Sequence, residues 1–149
     1  MQSAEHYMQL ALDLAKQAYD MGEVPVGAVV VDANGAVIGR GHNLRESQKN
    51  ALLHAEIIAI EEACKYQNDW RLSDATLYVT LEPCPMCAGA ILNARIGQVV
   101  YGAKDNAMGA MGSVCNLFYE NFGFSPRVQS GVLADKSRVL MQEFFKALR

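Results

Sequence analysis

The sequence predicts an α/β fold, a three-layer α-β-α sandwich, and three observations carry that prediction. Apolar residues recur at three- and four-residue spacing over residues 7–21 and again near the C-terminus, the period of helices with one buried face. Short apolar, β-branched runs lie between them, at 24–31, 75–81 and 99–102. Strands and helices then alternate, and strand-helix-strand units need crossovers that cover the sheet with helices.

The first helix takes its apolar face from Tyr7, Leu10, Ala11, Leu14, Ala15, Ala18 and Met21, with Gly22 as a C-cap just beyond. Val24 to Val31 is a strand whose body follows Pro25, because proline has no N–H for a ladder. Asp32-Ala33-Asn34-Gly35 is a turn and Ala36 to Arg40 a second strand, so the sheet begins with a hairpin. Asn43 to Leu52 is a polar loop, and a helix runs from about His54 to Cys64 with Ile57, Ile58, Ile60 and Ala63 as apolar surface. Ala75 to Leu81 is a strand, broken by Glu82-Pro83-Cys84-Pro85, and a short helix follows to about Asn93. Val99 to Gly102 is a strand, Gly109 to Gly112 a glycine-rich stretch, Val128 to Val132 a weakly patterned final strand, and Ala134 to Leu148 a terminal helix. The order is α-β-β-α-β-α-β-(β)-α. No repeat or linker divides it, so residues 1–149 read as a single domain.

Composition narrows the function classes. Hydrophobic residues at 51% and charged residues at 19% exclude a disordered chain. No apolar run reaches the roughly 18 residues of a membrane span. The N-terminus has no basic region followed by an apolar run, so the expectation is no signal peptide, no membrane and a cytoplasmic location. The net charge of −3 gives no support to bulk electrostatic capture of nucleic acid. The charge is uneven, however: residues 1–62 carry nine acids against four bases, and residues 63–149 seven against nine. A polyanion surface would draw on the second half.

Four cysteines are present, at 64, 84, 87 and 115, and without a secretion signal they do not read as a disulfide framework. Cys84 and Cys87 combine with His54 as a metal-ligand set, in the pattern His54-Ala55-Glu56 and Pro83-Cys84-Pro85-Met86-Cys87. Structural zinc wants four protein ligands, and the remaining candidates, His42, Cys64 and Cys115, lack close spacing to another ligand. A catalytic zinc wants three protein ligands and a water, which matches the set at hand.

The two cysteines stand three apart where a helix begins, so they share a face. The positive end of the helix dipole there favours thiolates. Pro83 and Pro85 suit that helix start. His54 and Glu56 are two apart and would diverge in mid-helix. The site therefore requires His54 in the first turn or just outside it. Zinc activates water near pH 7. Glu56 is the carboxylate that would take the water's proton, give it to a ring nitrogen and later protonate the leaving amine. His42 reads as strand-end scaffolding, Cys64 and Cys115 as buried small side chains, and the methionines as packing.

His-x-Glu with Pro-Cys-x-x-Cys is the known signature of zinc nucleobase deaminases, and the role given to Glu56 follows that pattern. Beyond it the chain resembles the bacterial tRNA-specific adenosine deaminases of the cytidine/deoxycytidylate deaminase superfamily, from about Leu12 to Leu148. The resemblance is carried by EVPVGAVVV at 23–31, HAEIIAI at 54–60, DATLYVTLEPCPMCAGAILNARIGQVVYGAKD at 74–105, GAMGS at 109–113 and EFF at 143–145.

The resemblance implies a cytidine-deaminase-like sandwich with a central five-stranded mixed sheet, one zinc per subunit and a homodimer. It implies hydrolysis of adenosine to inosine at the wobble position, 34, in a tRNA anticodon stem-loop. It implies zinc ligands at His54, Cys84 and Cys87, a proton shuttle at Glu56, a base contact at Asn43 and a substrate contact at Asp105. The Cys84 N–H would face the water or the substrate edge. Phe145 and Lys146 fall where the last helix approaches RNA. Lys104, Lys146 and Arg149 are the local positive groups proposed for phosphates, while the sequence ends at Arg149 without the lysine-rich tail of more basic members.

Four alternatives compete. A guanine or cytosine-nucleotide deaminase would use the same zinc and glutamate on a small molecule. The short Cys84–Cys87 spacing disfavours a riboflavin-pathway deaminase. A zinc-stabilised interaction module leaves Glu56 idle, and a redox pair at Cys84 and Cys87 explains neither His54 nor Glu56.

Overall fold

In a computed structural model that describes residues 1–148, helix α1 (Ala4–Asp20) opens the chain. It starts three residues earlier than the apolar period suggests, because the Ser3 hydroxyl caps it by accepting the His6 N–H. Met21 ends it, and Gly22 follows in the left-handed region. Strand β1 (Gly27–Val31) begins only after Pro25 and pairs with β2 (Val37–His42). The Asp32 carboxylate closes the hairpin turn by accepting the N–H groups of Asn34 and Ala36. Then come α2 (Ala55–Gln67), β3 (Thr76–Leu81), α3 (Pro85–Ala94), β4 (Gln98–Ala103), a 3₁₀ turn at Leu117–Tyr119, β5 (Arg127–Gln129) and α4 (Ala134–Ala147).

The sheet order is β2-β1-β3-β4-β5. The β2–β1 and β1–β3 pairs are antiparallel, and β3–β4 and β4–β5 are parallel, so the five-stranded sheet is mixed. Helices α1 and α4 contact one face; α2 and α3 cover the other. Every residue of β1 is buried, because Ala28 and Val30 join the α2–α3 core while Val29 and Val31 join the α1 core. This is the three-layer α-β-α sandwich.

Two glycines fix α2 against the sheet. A Cβ on Gly39 would stand 2.1 Å from the Ala59 carbonyl oxygen, and one on Gly41 would stand 2.3 Å from that of Ala55. The helix backbone therefore lies directly on β2, and its N-terminus is held at the end of the sheet where the site forms.

Three expectations need correction. The last strand is Arg127–Gln129 rather than Val128 to Val132. The chain turns at Gly131, whose φ of 86° ends the edge strand, and Val132 leaves it for the α1 core. The 3₁₀ turn carries no strong period in the sequence and was not expected. Cys115 is exposed rather than buried. It lies in a tight turn between the bridged residues Met111 and Asn116, and Met111 takes the buried position. Cys64 is half-buried against the α2–α3 core. Among the described residues, no helix is long and apolar enough to cross a membrane.

Candidate active site

The N-termini of α2 and α3 converge beside the end of β3. His54 is the N-cap of α2, in an extended conformation with φ −76° and ψ 156°, and Glu56 lies in that helix's first turn. Cys84 is the N-cap of α3, Pro85 occupies its first turn, and Cys87 stands three residues on. The local requirement placed on His54 is therefore met.

The three ligand atoms lie within 4.8 Å of one another, and His54 Nδ1 is 3.6 Å from both Cys84 Sγ and Cys87 Sγ. A tetrahedral zinc with its usual bond lengths would set such pairs about 3.5–3.8 Å apart, so the residues present fit the ion. No fourth His, Cys, Asp or Glu joins the group among the described residues, and His42, at the end of β2, is outside it.

The donor chemistry agrees. A hydrogen bond from Cys87, with help from His54, brings the Cys84 thiol down to about 4, which favours the thiolate form. The same bond to Cys84, together with burial, pushes the Cys87 thiol up, and the bond to Cys84 raises His54. Thiolate sulfur and imidazole nitrogen are zinc's usual donors, and a divalent cation at the centre would hold both sulfurs as thiolates and the imidazole neutral.

Glu56 is 4% exposed, and burial, with the Cys84 charge adding to it, pushes its carboxyl up to about 7. A carboxyl near neutrality can both take and return a proton at pH 7.

His54, Glu56 and Cys84 open onto a cavity of about 380 Å³, also lined by Val24, Val26, Leu81, Ala107, Met108, Asn43, Asp105 and Phe145, while Cys87 is buried behind it. That volume lies within the usual range of small-ligand sites, about 300–1,000 Å³. Asn43 is buried, and its side-chain oxygen accepts the Arg45 N–H at 3.1 Å. Asp105 is half-buried, and one of its oxygens accepts the N–H groups of Ala107 and Met108 at 3.0 and 3.2 Å. Lys104 and Lys146 do not line this cavity. They line an adjoining one of about 580 Å³ together with Asn106, Arg138 and Gln142, and Asp105 and Phe145 border both. The adjoining space is larger but holds none of the ligand cluster. Arg149 lies outside the described residues. The Cys84 N–H has no protein acceptor among the described residues.

Two further groups went unread in the sequence. Glu23 and Glu82 are only 1% and 2% exposed, and no ion pair among the described residues involves either. Glu23 accepts the N–H groups of Glu46 and Ser47, at 3.0 and 2.6 Å, from the loop after β2. Glu82 accepts the N–H groups of Asp105, Met111 and Ser113, at 3.1, 3.0 and 3.1 Å, and the Ser113 hydroxyl, all from the loop after β4. The available signal was an acid set in an apolar run, in EVPV and TLEPC, since a buried carboxylate needs donors.

Comparison with known proteins agrees with this geometry. The family model described as MafB19-like deaminase matches residues 2–149. The tRNA-specific adenosine deaminase of Bacillus subtilis is 49% identical over 146 residues, covering 97% of this chain and 90% of that one. A solved structure from work on A-to-I editing by tRNA:A34 deaminases at the wobble position of transfer RNA superposes with a TM-score of 0.87. It is 43% identical and covers 91% of this chain and 98% of its own. The guanine deaminase of Bacillus subtilis matches less of the chain, with a TM-score of 0.66, 39% identity, and coverage of 69% of this chain and 66% of that one. By sequence, fold and ligand cluster together, the chain belongs to the bacterial tRNA-specific adenosine deaminases of the cytidine-deaminase superfamily.

Proposed function

We propose that this chain, as a single catalytic domain, hydrolyses adenosine to inosine at position 34 of a tRNA anticodon loop, consuming one water and releasing ammonia. The observation that carries the reading is the buried carboxyl of Glu56 beside a three-ligand His/Cys/Cys set. His54, Cys84 and Cys87 would hold the zinc. When bound, the ion supplies Lewis-acid activation of water at neutral pH.

The protein's own groups do the rest. The Glu56 carboxylate takes a proton from the attacking water and hands it to N1 of the adenine ring, then takes the proton of the hydroxyl now on C6 and passes it to the 6-amino group, which leaves as ammonia while the carbonyl forms. Asn43, its oxygen committed to Arg45, offers its amide N–H groups to the base edge. Val24, Val26 and Leu81 supply apolar wall against a flipped base and limit the water that reaches it.

The neighbouring nucleotides would occupy the adjoining cavity. Phe145, 44% exposed between the two spaces, offers a ring for stacking, and Lys104 and Lys146 offer charge to phosphates. Arg149 is proposed to extend that charge. Asp105 has one oxygen committed to its own loop, and the other is proposed to accept a hydrogen bond from a ribose 2′-hydroxyl. We also propose a homodimer, supported by the exposed apolar residues Val114, Tyr119 and Phe122 in one segment.

The test is turnover of an adenosine-34 RNA hairpin by zinc-loaded protein, with guanine, free adenosine and cytosine nucleotides as controls. Preference for a free base would replace this reading by a small-molecule deaminase.

A further inference from the structure

Glu82 links the metal-ligand segment to one wall of the cavity. It follows the last residue of β3 and precedes Cys84 by two positions. Its own N–H donates to the Ala103 carbonyl at the end of β4, at 2.8 Å, so its backbone is fixed by the sheet. Its side chain turns to the loop that leaves β4. Oε1 accepts the Asp105 N–H and the Ser113 hydroxyl, and Oε2 accepts the N–H groups of Met111 and Ser113.

All four donors belong to residues 105–113, and none to the sheet or the helices. That segment carries Asp105, Ala107 and Met108, which line the catalytic cavity. The loop wraps the carboxylate so closely that a Cβ on Gly109 would stand 2.4 Å from Oε2. The Ala110 N–H also donates to the Pro83 carbonyl, at 2.9 Å, from the residue between Glu82 and Cys84. An ionised carboxylate accepts at every lone pair and donates nowhere, which is what four converging donors require. A glutamine would turn an NH₂ group towards some of them and leave buried donors unpaired.

We propose that Glu82 is a positioning residue for the substrate. It holds the Asp105–Met108 wall at a set distance from Cys84, and so governs how the flanking nucleotides and the target base are gripped. The inference rests on the reading of this cavity as the substrate site. Glu82 touches no substrate atom itself; it acts through the loop.

The test compares Glu82→Gln and Ser113→Ala with the wild type by zinc content, amide hydrogen exchange of the free protein, and kcat and KM on an adenosine-34 hairpin. For Glu82→Gln, zinc content should stay at the wild-type value. Exchange at the amides of Asp105, Met111 and Ser113 should quicken about tenfold or more while α2 is unchanged. KM should rise about tenfold with kcat within about threefold, the signature of lost substrate positioning rather than lost chemistry. Ser113→Ala, which removes one hydroxyl, should move both readouts the same way by less, and it decides by the same criteria if Glu82→Gln fails to fold. Unchanged exchange would overturn the anchoring. Quickened exchange with unchanged KM would reduce Glu82 to a structural role, and a fall in kcat at constant KM would place it in the chemistry. If wild type leaves the hairpin untouched, the tRNA reading falls by itself, and exchange together with KM on guanine then decides the role of Glu82.

Discussion

His54 and Glu56 face one cavity although they stand two positions apart, because His54 caps α2 from outside and Glu56 lies within its first turn. Inside a helix, side chains two apart diverge by about 200° around the axis. The extended N-cap backbone removes that divergence for His54, whose Nδ1 meets both cysteine sulfurs at 3.6 Å. The carboxyl proposed as the proton shuttle is thus kept beside the candidate metal ligands without being one of them.

The purified protein should carry about one zinc per chain, held by one nitrogen and two sulfurs with a further light-atom ligand. His54→Ala or Cys87→Ala should bring the content far below one. Elemental analysis gives the stoichiometry and X-ray absorption the ligand count. Four protein ligands would favour a structural site instead.

Glu56→Gln should keep the zinc and the fold while kcat falls about 100- to 10,000-fold, the usual contribution of a general acid–base group. The change preserves size and removes the titrating group. Turnover within about threefold of wild type, at matched zinc content, would exclude Glu56 as the shuttle.

Glu23 should make stability fall on the acid side. Burial opposes its ionisation, but hydrogen bonds from Ser47 and Glu46 and the charge of Arg45 outweigh that and hold its carboxyl below the ordinary value of 4.5. The stabilisation is therefore complete above pH 4.5 and lost as pH falls through the lower folded value. Glu23→Gln should be less stable at pH 7 by about 1.5–3 kcal/mol, the range for a hydrogen bond to a charged acceptor. The gap should narrow towards pH 3, as thermal melts of both proteins would show. A gap independent of pH would contradict the assignment.

Light scattering at micromolar concentration should give twice the 16.3 kDa chain mass. A fully active species of single-chain mass would exclude the homodimer.

Much of this was legible in the sequence because it rests on local rules. The Cys84-x-x-Cys87 pair behind Pro83, the His54-x-Glu56 pair and the break after Leu81 each state a geometry that helix starts enforce. The hairpin turn was legible for the same reason, since Asp32 and Gly35 close it within four residues. The functions of Glu23 and Glu82 were not, because their donors lie 23 to 31 residues away in the chain. No local period encodes such distant pairing. The edge strand and the exposure of Cys115 were misjudged for a related reason. Both depend on where the chain leaves the sheet, which Gly131 and the Met111–Asn116 bridge decide. Lys104 and Lys146 line a space that adjoins the cavity at the ligand cluster and not that cavity itself, a placement that no local pattern in the sequence encodes.

The most direct test of the central claim is kcat/KM of the zinc-loaded wild type on three substrates: an adenosine-34 RNA hairpin, its all-deoxy counterpart and free guanine. An RNA loop already presents partly unstacked bases, and Asp105, which lines the cavity, is the residue proposed to accept from a 2′-hydroxyl. The account predicts that the RNA hairpin is turned over best, with inosine and ammonia formed in equal amounts, and that the deoxy form is slower. Equal rates on the two hairpins would remove the 2′-hydroxyl contact. Faster turnover of guanine than of the RNA hairpin would contradict the account and make the protein a small-molecule deaminase.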